Sequence, residues 1–462
     1  MIELAAIQLP DFGIEHDFPE IPLDLYRARL SAAGERMRRD GLDCLVVYGD
    51  REHCANLAYL TGFDPRFEEA LLLLAADGRA QLIVGNECMG YLPDEGLGLD
   101  VVLFQDFSLM GQPRGDSRPL RAILADFGIG PKSAVGCVGW KYYDSGLVEG
   151  GAAACDAPAY LVDLLRDLVG ARERVRNATA LFANPIDGLR TTNEPEQIAQ
   201  FEFAAIRTSE GVRRVLAQFR EGVEERELEP LLDGAGLPLS CHRMIGFGEK
   251  VRRGLASPSA NRARLGDPFT VALGVAGALS SRAGWIARGP EDLPAGDRDF
   301  CMRFAANYFD VVAAWYEAIR VGVTAGEVYR AAEARRDPAL ARFAVNPGHL
   351  LHLDEWLHSP FASGSPLPLR SGMAIQMDII PVSVGPFCYV NAEDGIALAD
   401  ARLRAEIAVR FPGCWRRIEA RRRFMGDALG IRLHESVLPL GNTSGWLPPF
   451  GLDLGRAYRV AE

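Results

Sequence analysis

Two stretches of sequence one hundred residues apart constrain the fold most. "FREGVEERELEPLL" begins at Phe219 and "IRVGVTAGEVYRAA" begins at Ile319. Gly222 and Gly322, Val223 and Val323, Glu227 and Glu327, and Leu228 and Val328 fall in the same places. In each stretch a helical pattern ends at a glycine and a new one starts a few residues later. Gly-x-x-x-x-Glu also recurs in ordinary helix connections, so a chance match is the bland alternative. The sharper reading is a duplicated half with pseudo-two-fold symmetry in the second part of the chain.

The first part reads differently. "YRARLSAAGERMRRDG" (26–41) is a charged amphipathic helix stopping at glycine, and "LDCLVVYG" (42–49) is a short buried strand. "EALLLLAADGRAQLIVG" (69–85) is two strands around the Asp77-Gly78 turn. "DVVLFQ" (100–105) is a strand, "RPLRAILADFGIG" (118–130) a helix, and "SAVGCVGW" another strand. This alternation predicts an α/β domain over residues 1–183. A linker is expected at 184–192. A long helix follows in "RTTNEPEQIAQFEFAAIRTSEGVRRVLAQFREG" (190–222), with Asn193 as its cap and Pro195 in its first turn. Residues 193–462 then form an α+β domain. Its tail, "LPLGNTSGWLPPFGLD" (438–453), is rich in Pro, Gly and aromatics and is expected to pack as an ordered strap near a pocket mouth.

The 462 residues carry a net charge of −12 with no dense Lys/Arg run, which argues against nucleic acid or an anionic membrane as a partner. No apolar run is long enough to span a bilayer, and the N-terminus lacks the basic-then-apolar order of a signal peptide. Nine cysteines, without a CxxC, suggest reduced thiols and a cytoplasmic protein. There is no G-x-S-x-G, Walker A or HExxH motif, and "GFGEKV" at Gly246 lacks the third glycine of a dinucleotide fingerprint.

The chemistry gathers in "NPGHLLHLDEWLHSPF" (346–361), which holds three of the seven histidines: His349, His352 and His358. Histidine titrates near neutral pH and serves as acid, base or ligand. His352 reads as a structural or surface group, and Asp354 and Glu355 as loop charges.

Several motifs resemble one family. "NLAYLTGF" (56–63), "GDPFTVAL" (266–273), "PGH" (347–349), "LRSGMAIQMD" (369–378) and "NAEDGIAL" (391–398) are similar, in order and spacing, to the pita-bread proteins: creatinase, aminopeptidase P and prolidase. The resemblance spans nearly the whole chain. It implies an α/β N-terminal domain followed by an α+β pita-bread domain with internal duplication, and a homodimer.

The family's peptidases hold two divalent ions with two Asp, one His and two Glu. A gapless alignment puts Gly274 and Trp285 at the aspartate positions, eleven residues apart, His349 at the histidine, and Asp378 and Glu393 at the glutamates. Neither a glycine nor an indole ligates a metal. The resemblance therefore implies a member with a degenerate metal site, and no metal or cofactor is expected. A single ion on His349, Asp378 and Glu393 stays open as an alternative.

What the resemblance then implies is a metal-independent, creatinase-like hydrolase of C–N bonds, or a lyase, acting on a small nitrogen-containing substrate. His349, Glu393 and Asp378 would be catalytic. His358, Arg288, Trp285, His242 and Arg66 would bind substrate, Arg288 by holding an anionic group or bracing the carboxylates, and Arg66 by reaching a partner subunit's site. Ala256 stands where creatinase has its catalytic histidine, and His242 is the substitute candidate. The alternatives are a non-catalytic binding protein and an Xaa-Pro aminopeptidase-type metallopeptidase.

Overall fold

The structure is a computed structural model that describes residues 1–254 and 256–461. It divides into two compact units: Ile21–Arg190, and residues 1–20 together with those from Thr191 onward. The first strand, β1 (Ile2–Ala6), thus belongs to the larger unit, where it pairs with the last strand of the chain. A sequence domain beginning at residue 1 misses this, because nothing local marks a pairing between residues 450 to 458 positions apart.

The smaller unit is a six-stranded sheet between two helical layers. Its helices are α1 (Leu23–Arg39), α2 (Ala55–Thr61), α3 (Leu120–Phe127), α4 (Ala159–Val169) and α5 (Ala180–Ala183). Its strands are β2 (Cys44–Gly49), β3 (Ala70–Ala75), β4 (Ala80–Val84), β5 (Asp100–Leu103), β6 (Val135–Val138) and β7 (Val175–Asn177), ordered β5-β4-β3-β2-β6-β7. Every residue of β2 is buried, because Cys44, Val46 and Tyr48 pack with α3 and α4 while Leu45 and Val47 pack with α1, α2 and α5. That is why this strand reads as a continuous apolar run. Gly78, with φ of 92°, makes the β3–β4 turn.

The larger unit holds helices α6 (Pro195–Leu216), α7 (Glu225–Leu228), α8 (Arg298–Ala318), α9 (Ala325–Arg335), α10 (Ala401–Arg410) and α11 (Pro412–Asp427). Its further strands are β8 (Met244–Phe247), β9 (Pro268–Val275), β10 (Ala278–Trp285), β11 (Ala341–Phe343), β12 (His349–Leu350), β13 (Ala374–Met377), β14 (Pro381–Ser383), β15 (Asn391–Leu398), β16 (Val437–Pro439) and β17 (Arg456–Val460). The main sheet runs β12-β13-β15-β10-β9-β8, with β16 beside β15.

The internal repeat is visible in the backbone. Gly222 (φ 81°) follows α6 and Gly322 (φ 94°) follows α8. Their N–H groups donate to Ala263 and Leu369 carbonyls, both at 2.8 Å. The Val223 and Val323 carbonyls accept from the same two residues, at 3.0 and 2.8 Å. Glu225 N–H then bonds Asn261 O, and Ala325 N–H bonds Leu367 O. Each glycine is required by its left-handed backbone.

Two local readings change. Asn193 does not cap α6: its amide donates to Gly372 O, and the cap residue is Glu194. The nine thiols are not all reduced, since Cys301 and Cys388 form a disulfide 87 residues apart, leaving seven free cysteines. It ties the first turn of α8 to the loop leading into β15, two segments that only the fold brings together. Among the described residues, no helix is long and apolar enough to cross a membrane.

Candidate active site

Strand register assembles the site. In an antiparallel sheet, directly opposed residues share a face. Glu393 on β15 lies opposite Ser281 on β10, which lies opposite Ala272 on β9. Asp378 follows β13 one position beyond the Met377–Asp394 pair, so it faces Glu393 from the other side. His349 on β12 lies opposite Gln376. Side-chain donor atoms of His349, Asp378 and Glu393 all fall within 4.8 Å of one another. All three residues are buried, at 0, 5 and 8 % exposure.

The histidine-rich stretch folds back over this cluster. Leu350 N–H bonds His358 O and Leu357 N–H bonds Leu350 O, forming a tight reverse turn. Glu355, read from sequence as a loop charge, is carried onto His349, with Oε1 3.0 Å from Nε2. The contact is a close ion pair without linear hydrogen-bond geometry. Glu393 Oε1 is 4.0 Å from the same nitrogen. On the other side of the ring, Nδ1 lies 3.2 Å from Leu350 O. A carbonyl and a carboxylate only accept, so both ring nitrogens face acceptors, an arrangement that favours the imidazolium. Trp356 stacks on it at 4.1 Å between centroids, an arrangement that favours a cation.

The electrostatics agree. Burial opposes charge on His349, but Glu355, by charge and hydrogen bonding, and then Asp378 outweigh it and raise its pKa. Burial raises Asp378 to about 6, with the His349 charge pulling it down and Glu355 pushing it up. Burial, then Asp378 and Glu355, raise Glu393 well above the usual carboxylate range. Asp378 Oδ1 is buried with no hydrogen-bond partner, an acceptor left for a ligand. Gln376 holds Glu393 in place, donating to Leu279 O (2.8 Å) and Glu393 Oε1 (3.3 Å).

A second layer supports β15 from behind. Arg282 and Asp394 alternate with Ser281 and Glu393 and so point to the opposite face. They form a fully buried ion pair at 2.8 Å. Asp394 also accepts from Thr443 Oγ1 (3.0 Å) and Gly445 N–H (3.1 Å), and Arg282 donates to the carbonyls of Trp446 and Thr443. The C-terminal strap is therefore ordered, as expected, but it packs on the back of the sheet and not at a pocket mouth. Sequence reasoning missed Arg282; its signal was a charged residue inside an otherwise uncharged strand.

The other expected residues scatter. Arg288 is exposed and forms a bidentate pair with Asp292 at 2.9 Å, so it braces no carboxylate of the cluster. Trp285 is buried opposite Pro268, its backbone bonded to Pro449. It lies four residues along β10 from Ser281, roughly 13 Å away at strand rise, so it does not fill the space beside Glu393. His242 is exposed, whereas its neighbour Cys241 is not. His358 is half-buried at the edge of β12, and His352 is buried edge-on against Phe201. Arg66 is an exposed residue of the smaller unit, beside Asp64.

A two-ion centre does not fit this donor set. Between Pro268 and Trp285 the β9–β10 hairpin contains no acidic residue, so no choice of register supplies the missing aspartates. At Gly274 an added Cβ would stand 2.6 Å from Ser240 Oγ and 2.7 Å from Cys241 Sγ, so the chain already fills that place. Burial, then Glu355 and Glu393, push the Cys241 thiol up to about 12, which keeps it neutral. A single divalent ion would have His349, Asp378 and Glu393 as ligands and would polarise a bound water, but only with His349 neutral and released by Glu355.

Comparison with known proteins follows the same lines. Residues 29–138 match the Creatinase/Prolidase N-terminal domain family. The dipeptidase PepE from Mycobacterium ulcerans superposes with a TM-score of 0.60 at 20% identity, over 82% of this chain and 95% of that one. The protein has the pita-bread fold. The prolidase from Pyrococcus horikoshii gives a TM-score of 0.61 at 16% identity, over 80% and 95% of the two chains. The N-terminal domain of FACT complex subunit SPT16 from chickpea, Cicer arietinum, gives 0.57 at 14%, over 82% and 95%. No curated protein matches the sequence. Here His349, Asp378 and Glu393 stand together, with no acidic residue on the β9–β10 hairpin beside them.

Proposed function

We propose that this pita-bread protein is a metal-independent hydrolase that cleaves a C–N bond in a small, nitrogen-containing cationic substrate. The observation carrying this reading is the state of His349: both ring nitrogens face acceptors, and Glu355 occupies the one that a metal would use. A protonated imidazole does not ligate, but it donates a proton.

The roles follow from position. Asp378 offers Oδ1 to an N–H of the substrate and, with Glu393, balances its positive charge. Glu393, 4.0 Å from His349 Nε2, takes the proton of an attacking water. His349 gives its Nε2 proton to the departing nitrogen, so one water adds across the broken C–N bond. Glu355 holds the imidazolium in the closed site before substrate enters. The cluster is buried, so substrate entry requires the segment carrying Glu355 and Trp356 to swing off His349. A homodimer belongs to the same reading.

The test is turnover of guanidino compounds, amino-acid amides and Xaa-Pro dipeptides, before and after exhaustive chelation. Chelator-resistant cleavage that is abolished in both His349→Ala and Glu393→Gln supports the proposal. Cleavage lost on chelation and restored by a divalent ion overturns it. A second reading, ligand binding without chemistry, is favoured by the complete burial of His349 under Trp356. It predicts a saturable thermal shift with no product.

A further inference from the structure

The smaller unit contains a second cluster of reactive groups, separate from the acid–histidine site. Cys137 sits in the middle of β6, buried between β2 and β7, opposite Val46 and Asn177. Cys155 is half-buried in the wall of a cavity of about 240 Å³ whose lining also includes Arg166, Arg172 and Asp163. Cys155 packs against the apolar cluster that contains Cys137, and each thiol shifts the pKa of the other.

Their closeness is built in by the surrounding backbone. The Asp156 carboxylate accepts from the N–H groups of Trp140 and Lys141, both at 2.7 Å. The Asn177 amide donates to Ala154 O at 3.0 Å and to Lys141 O at 2.9 Å. These bonds clamp the residues on both sides of Cys155 onto the segment that leaves β6 just after Cys137. Arg166 is itself fixed, donating to Ala153 O at 2.7 Å. Cys137, followed by the nearby charges of Arg166 and Arg172, lowers the Cys155 pKa against the effects of burial and Asp156. The buried partner is pushed the other way. An accessible thiol favoured as thiolate, with a second thiol behind it, is the arrangement of a redox-reactive pair.

We propose that Cys155 and Cys137 form a peroxide-reactive dithiol, with Cys155 the attacking thiol at the cavity wall and Cys137 the resolving thiol behind it. In the first step Cys155 sulfur attacks one oxygen of hydrogen peroxide. An S–O bond forms, the O–O bond breaks, and hydroxide leaves and is protonated to water. In the second step Cys137 sulfur attacks the Cys155 sulfenic acid. An S–S bond forms, the S–O bond breaks, and the hydroxyl leaves as water with the Cys137 proton. In sum the two thiols lose two electrons and two protons, and one peroxide becomes two waters. Small anionic peroxides suit the same cavity, given its two arginines.

The experiment treats the intact protein with a few equivalents of hydrogen peroxide and maps its peptides without reduction. The expected result is a Cys137–Cys155 crosslink and the loss of two of the seven free thiols. In Cys137→Ser, Cys155 should accumulate as a sulfenic acid trapped by dimedone; in Cys155→Ser, neither product should form. A measurement needing no variant is competitive iodoacetamide labelling, in which Cys155 should react about ten-fold faster than Cys54, the other half-buried free thiol of the smaller unit. Labelling of Cys155 no faster than Cys54, or a peroxide-induced crosslink that excludes Cys155, overturns the proposal.

Discussion

Replacing Glu355 with Gln should cost stability at pH 6, and that cost should vanish as pH rises through the folded pKa of His349. Glu355 acts on two kinds of charge at once. It stands 3.0 Å from His349 Nε2, and it also raises the pKa values of Asp378 and Glu393 by repulsion. Two unit charges at that distance attract by about 5 kcal/mol at an effective dielectric constant near 20. The Glu355 side chain is one-fifth exposed, so solvent screening reduces this to about 2 kcal/mol, the usual size of a charge-assisted bond. The folded-state pKa of His349 is raised, so this stabilisation is present in full below the unfolded pKa and is lost as pH rises through the folded value. At pH 6 the substitution should therefore cost about 2 kcal/mol in urea unfolding. Above the folded pKa of His349 the imidazole is neutral and only the repulsion from Asp378 and Glu393 remains, so there the substitution should be neutral or stabilising. In nitrogen-correlated NMR spectra, the His349 ring should also titrate at lower pH in the variant. An unchanged titration, or equal destabilisation at pH 6 and above the folded pKa, would refute the ion-pair account.

Three further outcomes follow from the same geometry. Asp378→Asn should abolish turnover yet stabilise the protein at pH 8. Its folded pKa of about 6 lies above the ordinary 3.8 of an aspartate, so charge there costs stability as pH rises, on the order of 3 kcal/mol by linkage; urea melts at pH 4 and pH 8 give the comparison. Asp394→Asn should destabilise by about 3–5 kcal/mol, because it leaves Arg282 buried without its counter-charge; Asp394→Asn/Arg282→Met should recover part of the loss in the same melts. Cys301→Ser/Cys388→Ser should lower stability by up to about 4.6 kcal/mol, the chain-entropy value for a loop of 87 residues, and the loss should match that of thiol reduction in the wild type.

What could be read from the sequence depended on whether the signal was local. The glycine-stopped helices gave away the duplication, and the structure repeats even their hydrogen bonds at Gly222 and Gly322. The apolar runs located β2 and the β3–β4 hairpin because burial on both faces leaves a compositional trace. His349, Asp378 and Glu393 were readable because each sits in a short motif, and the fold brings all three together.

The register of the β9–β10 hairpin was not readable. Trp285 lies four residues from Ser281, and a slip by an even number of residues leaves every side chain on the same face. Only the turn at Ala276–Gly277 shows that Ser281, not Trp285, stands beside Glu393. Glu355 was read as a loop charge because its contact depends on the reverse turn after β12. The Cys301–Cys388 bridge and the β1–β17 pair join segments with no local mark of each other.

The central claim is that His349 is a protonated acid held by carboxylates and not a metal ligand. Elemental analysis of protein purified after growth with added manganese and zinc tests it most directly. The account predicts fewer than about 0.2 divalent ions per chain, well below the one that an open three-ligand site holds. One or more ions per chain, lost in His349→Ala, would contradict it.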